Sequence, residues 1–309
     1  MGRHVIVGAG QVGGGLAETL AERGNEVTLV TRSGSGPKRP GISPVAADAG
    51  DAAVMRRLTE GADALYNCAN PRYHRWPLDW PPIAGALLAA AESSGAVLVT
   101  LGNLYGYGPV DGPMTEDLPL AATGTKGMVR ARMWEEMRAA HEAGRVRVTE
   151  VRGSDYYGPR SSDQSYLGPR LLKPLLAGKP AIVLSDPDIP HSWTYLPDVV
   201  RALAAAAEEE RAWGRPWHVP TAPPVTMRQY AEMVCEAGGV PAPRLRRLPA
   251  WMLKAGGLVS PFMRELGETR YQFDRPYVLD SSDSQAVLGF APTPVEDGVK
   301  ETVAWWRGR

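Results

Sequence analysis

Gly8, Gly10 and Gly13 stand in a GxGxxG spacing directly after a short β-branched run, the context in which that spacing carries chemistry. Gly8 permits a tight turn, Gly10 lets the backbone approach a pyrophosphate, and Gly13 allows a helix to pack closely on a strand. With Gln11 and Val12 between them, these residues offer free amide hydrogens and the positive end of a helix to an anion. A second group, Thr31, Arg32 and Ser33, ends the next strand-like run and contains no acid. A guanidinium flanked by two hydroxyls suits a 2′-phosphate, so the expected cofactor is NADP(H) in preference to NAD(H). A third group lies in residues 71–82, read as a loop, with Arg72, Tyr73, His74, Arg75, Trp76 and Trp80. Tyr73 and His74 have exchangeable protons and the tryptophans can wall a substrate, although aromatic residues in such a stretch more often only pack.

The elements that must position these groups alternate. Strands are expected at 4–7, 26–31, 42–47, 64–68, 96–101 and 146–152, and helices at 16–22, 53–58, 83–93 and 128–143. This is the pattern of an α/β doubly wound parallel sheet of the Rossmann type. After about residue 159 prolines multiply, helices are expected at 171–176, 199–209 and 227–237, and a last sheet strand near 217–219. The apolar Met and Trp residues of 251–263 read as a cap helix. The expected division is an NAD(P)-binding domain over 1–165, completed by about 195–222, and a mainly substrate-binding cap over 166–309.

Lys plus Arg number 34, as do Asp plus Glu, so no net positive field gathers nucleic acid or a membrane surface. The partner expected is a small-molecule substrate. Cys68 and Cys235 are isolated, match no metal spacing and are too few for a disulfide framework. Residues 1–10 run from a strand into the glycine motif, leaving no room for a signal peptide, and no apolar run reaches the roughly 18 residues of a membrane span. A soluble cytoplasmic protein is expected.

Along nearly the whole length these residues resemble the extended short-chain dehydrogenase/reductases, the epimerase and dehydratase family. Asp48 to Asp51 resembles the stretch in which an aspartate meets the adenine, and Asn67 through Cys68, Ala69 and Asn70 resembles the loop under the cofactor. Asn103 to Gly106 resembles the tyrosine-glycine turn after the fifth strand, followed by Glu116, Asp117 and Pro119. Arg152 to Pro159 resembles the arginine strand ending in a YGP turn, with Ser154 within reach of the cofactor. Tyr195 to Val199, with Asp198, and Leu288 to Trp306 resemble its later landmarks. The first glycine pair is one residue closer than the family's GxxGxxG, which is similar to its atypical members.

The family's chemistry uses a Ser or Thr, a Tyr and a Lys, the last two spaced YxxxK. Counting from Glu116, those two positions fall on Lys126 and Arg130; shifting the alignment to make Lys126 the family lysine puts Ala122 in the tyrosine's place. Neither leaves a phenol. Thr100 is the nearest hydroxyl at the serine position, and Asn103 can donate an amide hydrogen to a substrate oxygen. Lys126 is then an acid or base, or with Arg130 a ribose and phosphate ligand, or Tyr73 supplies the missing proton. Their place just past the fourth strand makes Tyr73, His74 and Trp76 candidate substrate contacts; the resemblance adds His191 and Trp193 near the substrate pocket and admits a homodimer, Tyr105 and Tyr157 stand in turns it keeps for structure and are counted as further candidate contacts, and no metal is expected. Three functions follow: an NADP(H)-dependent oxidoreductase of a carbonyl or alcohol; a redox-neutral NAD(P)-dependent epimerase or dehydratase; a non-catalytic NADP(H)-binding sensor or scaffold.

Overall fold

The computed structural model describes residues 1–248 and 267–308. Its centre is a seven-stranded sheet in which every pairing is parallel. The strands are β1 (Arg3–Val7), β2 (Glu26–Thr31), β3 (Ile42–Ala46), β4 (Ala64–Asn67), β5 (Val97–Asn103) and β6 (Val148–Gly153), with Pro216–His218 as the seventh. The spatial order runs from that seventh strand through β6, β5, β4 and β1 to β2 and β3. The winding therefore reverses between β1 and β4, and the loops leaving their carboxyl ends diverge to open a crevice.

Helices cover both faces because strands buried on both sides must be. On one face α1 (Gly13–Glu22) and the helix Leu196–Glu208 bury Leu16, Leu20, Val199 and Leu203. On the other lie α2 (Ala52–Thr59), α3 (Trp76–Ser94) and α4 (Thr125–Glu142), which bury Met55, Leu87, Trp134 and Met137. Burying one such side chain contributes roughly 1.5–3 kcal/mol.

Most expected elements differ from the observed ones by a residue or two; α3 differs by a whole segment. Residues 71–82 are not a loop, since a 3₁₀ turn at Tyr73–Arg75 leads straight into a helix that begins at Trp76. Pro77 sits in the first turn, where its missing amide hydrogen costs nothing. Pro81 and Pro82 lie further inside the helix, whose Trp76 and Trp80, four residues apart, bury one face and receive the Arg130 guanidinium at 4.8 and 4.4 Å from their rings. The helix α4 begins three residues earlier than expected, which brings Lys126 into its first turn.

The remaining described residues build a second core over the carboxyl end of the sheet, where Leu171, Trp193, Tyr195, Tyr230 and Phe273 meet. Short strand pairs tie it down: Asp155–Tyr157 runs parallel to Trp193–Tyr195, and Pro190–His191 antiparallel to Val225–Thr226. The apolar stretch 251–263 lies outside the described residues. Among the described residues no helix is long and apolar enough to cross a membrane, and no cluster of His, Cys, Asp and Glu could hold a metal ion.

Candidate active site

Gly8 has φ +98°, and a Cβ there would lie 2.6 Å from the Cys68 carbonyl oxygen; at Gly13 it would lie 1.9 Å from the carbonyl oxygen of Gly8. Both glycines are therefore required by the turn itself. Gly10 is different, because a Cβ there meets nothing within 4 Å. Its freedom from contacts leaves room for an anion beside the N-terminus of α1, whose cap residue Val12 makes no side-chain bond to the helix. Gln11 points elsewhere: its Oε1 accepts from the Ser162 amide at 2.9 Å and the Ser165 hydroxyl at 3.2 Å.

An inner cavity of about 330 Å³ opens beside this turn, and the expected cofactor residues Gln11, Val12, Cys68, Ala69 and Asn70 line it with Arg130 and Ser154. Burial pushes the Cys68 thiol up to about 12, so it stays protonated and serves as packing. Asp48 is exposed and its Oδ1 accepts from the Gly50 amide, leaving the other oxygen for a ligand. The glycine cradle, the open position at Gly10 and the bare helix end fit a dinucleotide pyrophosphate.

The expected grip on a 2′-phosphate is not assembled. The Thr31 hydroxyl donates to the Ser35 carbonyl at 3.1 Å, and the Ser33 and Ser35 hydroxyls bond each other at 2.8 Å. Arg32 is exposed, and its charge contributes to holding the Asp79 carboxyl below its usual range, behind the larger effect of Arg75.

Lys126 and Arg130 come together one helical turn apart, both buried. The Lys126 ammonium bonds Glu268 at 3.0 Å and lies 5.7 Å from the centre of the Tyr73 ring. Arg130 donates to the Leu101 carbonyl at 3.2 Å while its guanidinium lies against the two tryptophans. At the alternative tyrosine position, Ala122 lies close against the start of α4, where a Cβ added to Gly127 would come within 2.3 Å of the Ala122 Cβ.

Thr100 does not reach the site. Its side chain faces the opposite side of β5, buried under α4, and its hydroxyl lies 3.4 Å from the Met137 sulfur. Asn103 does line the inner cavity, with its Oδ1 accepting from the Tyr105 amide and capping the turn Leu104–Tyr107.

A phenol is nevertheless present. Tyr73, from the turn before α3, and Tyr105, from the turn after β5, share a hydrogen bond of 3.0 Å between their hydroxyls. Trp76 holds both rings, edge-on to Tyr73 at 5.0 Å and stacked on Tyr105 at 6.1 Å. Burial raises the Tyr73 phenol above its ordinary value, and the bond from Tyr105 and the charges of Arg130 and Lys126 pull against it. Tyr105 is raised further, again by burial.

The pair stands where the inner cavity meets an outer one of about 730 Å³. The outer cavity is lined by the basic Arg72, His74 and Arg170 and by Tyr166, Leu171, Met227 and Phe273. Three residues expected to touch substrate are instead core. Tyr157 packs on Tyr195 and Tyr230, Trp193 donates its indole hydrogen to the Val225 carbonyl at 3.0 Å, and His191 is buried between aromatic rings. Their planar side chains fill the interior beneath the cavity because the short strands that carry them are covered on both sides. Glu268, Asp155, Tyr156 and Gln272 escaped the sequence reading. Only Asp155 and Tyr156 had a signal, their position just after the sixth strand.

A family model described as NAD dependent epimerase/dehydratase family matches residues 4–219. A dTDP-glucose 4,6-dehydratase from Streptomyces griseus is 29% identical over 223 residues, 71% of this chain and 62% of that protein. The match thus spans less than two thirds of that relative. A UDP-N-acetyl-alpha-D-glucosaminuronate decarboxylase from Bacillus cytotoxicus is 25% identical over 224 residues, 66% of this chain and 70% of that protein. Among solved structures, a UDP-glucose 4-epimerase from Thermotoga maritima superposes with a TM-score of 0.81 at 19% identity, covering 99% of both chains. A UDP-glucuronic acid 4-epimerase from Bacillus cereus in complex with NAD gives 0.79 at 16% identity, again covering 99% of both. At these identities the structures attest the fold.

Proposed function

The chain belongs to the NAD-dependent epimerase/dehydratase family of enzymes, and from that premise we propose that it carries out a redox-neutral conversion of a sugar nucleotide with NAD(H). The observation that carries this reading is the meeting of the two cavities on Tyr73 and Tyr105. A dinucleotide entering past the glycine turn and a substrate entering from the cap have only those hydroxyls and Asn103, Asp155 and their neighbours between them. The division into a nucleotide-binding part over 1–165 and a cap over 166–309 is part of the same proposal.

When bound, the dinucleotide supplies a hydride acceptor that later gives the hydride back. Tyr73 exchanges the proton of the substrate hydroxyl, and Tyr105 holds its oxygen. Because burial keeps the Tyr73 phenol protonated at neutral pH, its easier task is donation to a carbonyl oxygen. Lys126 and Arg130 set the positive field around that phenol, and either can bind ribose or phosphate. Asn103 offers its amide hydrogens to the same oxygen. Arg72, His74 and Arg170 suit the anionic end of a sugar nucleotide.

The relatives' names favour the redox-neutral reading over net oxidation or reduction, and those structures that hold NAD favour NAD(H) over NADP(H). Arg32 keeps the opposite preference alive as a second reading. The test incubates the protein with UDP-glucose or dTDP-glucose and NAD or NADP, following sugar products by NMR and reduced nicotinamide by absorbance. A changed sugar without accumulating reduced cofactor supports the proposal. Reduced cofactor in proportion to product means a net oxidoreductase, and turnover confined to NADP reverses the cofactor assignment.

A further inference from the structure

A small set of side chains lines both the inner and the outer cavity and so surrounds the place where the two spaces join. Most of these side chains are paired with protein groups. The Asn70 amide donates to Gln164 at 3.0 Å, and the Tyr73 and Tyr105 hydroxyls bond each other. Ser165 donates to Gln11, and Asp155 bonds His191 at 2.9 Å. Gln272 differs from all of them. It lines both cavities and is only 2% exposed, yet among the described residues its side-chain amide has no hydrogen-bond partner.

The segment that carries Gln272 is fixed by its other members. Glu268 accepts from both the amide and the ammonium of Lys126, and the Gln272 backbone amide donates to the Thr269 carbonyl at 3.2 Å. Phe273 lies against Tyr166 at 4.1 Å and parallel to His191 at 5.0 Å, while Arg270 and Asp274 pair at 3.0 Å at the surface. None of these contacts uses the Gln272 side-chain amide. A buried amide without a partner costs free energy, so keeping one here does nothing for the stability of the fold. A bound ligand can supply the missing bonds.

A primary amide has hydrogens to donate and an oxygen to accept with, and it carries no charge. A hydroxyl group, which gives one hydrogen and takes another, complements it on both counts. The anionic end of a sugar nucleotide has Arg72, His74 and Arg170 for it, and these line the outer cavity alone. Gln272, which also lines the inner cavity beside Tyr73 and Tyr105, is placed to meet the sugar. We propose that Gln272 is a specificity-determining residue whose amide binds one sugar hydroxyl near the reacting carbon and selects substrates that carry it. The inference rests on the function proposed above.

The experiment takes UDP-glucose or dTDP-glucose, whichever the wild type converts, and a set of analogues that each lack one sugar hydroxyl. All are assayed with wild type and with Gln272→Met, a replacement of similar length that lacks the amide. Gln272→Met should lower kcat/KM for the parent sugar nucleotide by about 10- to 100-fold. One analogue should lose a similar factor with wild type but less than about threefold with Gln272→Met, because the bond it cannot make is already gone. The other analogues should lose equally with both proteins. Without ligand, the melting temperature of Gln272→Met should be unchanged or higher, since no hydrogen bond within the protein is removed. Four results each overturn the inference and leave the proposed function standing: equal losses for every analogue in both proteins, full activity of Gln272→Met on the parent, wild type that converts every analogue as well as the parent, or a Gln272→Met that melts several degrees lower. Failure of the wild type to convert either parent removes the function and this inference together.

Discussion

Lys126 and Glu268, 142 residues apart in the chain, are joined twice: one carboxylate oxygen accepts from the Lys126 amide at 2.6 Å and the other from its ammonium at 3.0 Å. The first turn of α4 has Gly124 as its cap residue and no side-chain cap of its own, so Glu268 takes that place from outside the helix. A carboxylate at a helix N-terminus is stabilised by the free amides and the dipole, and here it also neutralises a buried cation. Glu268 is 26% exposed, which discounts the ion-pair part. Glu268→Ala is expected to lower unfolding free energy by about 1–3 kcal/mol in urea melts, with Glu268→Gln losing less. Identical midpoints for wild type and Glu268→Ala would remove the capping role.

The glycine turn gives a pair of variants with opposite outcomes. In Gly13→Ala the added carbon has no room, and the protein is expected to fold poorly. In Gly10→Ala the added carbon meets no protein atom, so the melting temperature should be unchanged or slightly higher. The same carbon would intrude where the pyrophosphate lies, and NAD affinity should fall more than about tenfold. Calorimetry showing full NAD affinity in Gly10→Ala would refute this placement of the dinucleotide.

Tyr73→Phe removes one hydroxyl from the phenol pair and keeps the edge contact with Trp76. Turnover should fall by about 10²–10⁴-fold with NAD affinity unchanged, the range for a lost acid-base group. Tyr105→Phe should cost less, since its hydroxyl acts through Tyr73. Equal turnover in Tyr73→Phe and wild type would return the proton role to Lys126.

His218 gives stability a pH dependence. Its Nδ1 donates to the Asp280 carbonyl at 2.6 Å and its Nε2 accepts from Tyr107, whose oxygen also receives Arg152 at 2.8 Å. Burial holds this imidazole at about 4, against 6.5 for a free one, and the Arg152 charge adds to the effect. The folded pKa is depressed, so between those values the unfolded chain binds more protons. Stability is therefore full above about 6.5 and declines as pH falls towards 4, by on the order of 3 kcal/mol. Burial raises the nearby Glu116 carboxyl, which opposes this trend at the acid end. Urea melts at several pH values should show a shallower slope for His218→Gln; an unchanged slope would assign the dependence to other groups.

What was legible in the sequence follows from how local each determinant is. The glycine turn depends on residues a few positions apart, and strands such as 26–31 are bounded by their own β-branched runs, so both are visible without a partner. The start of α3 was hidden because Pro77, Pro81 and Pro82 argue against a helix, and only the remote Arg130 reveals why Trp76 and Trp80 share a face. Thr100 was misjudged because a strand alternates its side chains, and nothing nearby announces that position 100 faces α4. Glu268 and the pairing of Asp155 with His191 come from segments far apart in the chain, joined by short strand pairs and turns that leave little periodicity.

The amide group of Gln11 spans from the glycine turn to Ser162, on the inner cavity, and Ser165, which lines both cavities. If the proposed ligands bind at the two ends of this side chain, Gln11 is the link through which one is felt by the other, and thermodynamic reciprocity makes each change the other's affinity by the same factor.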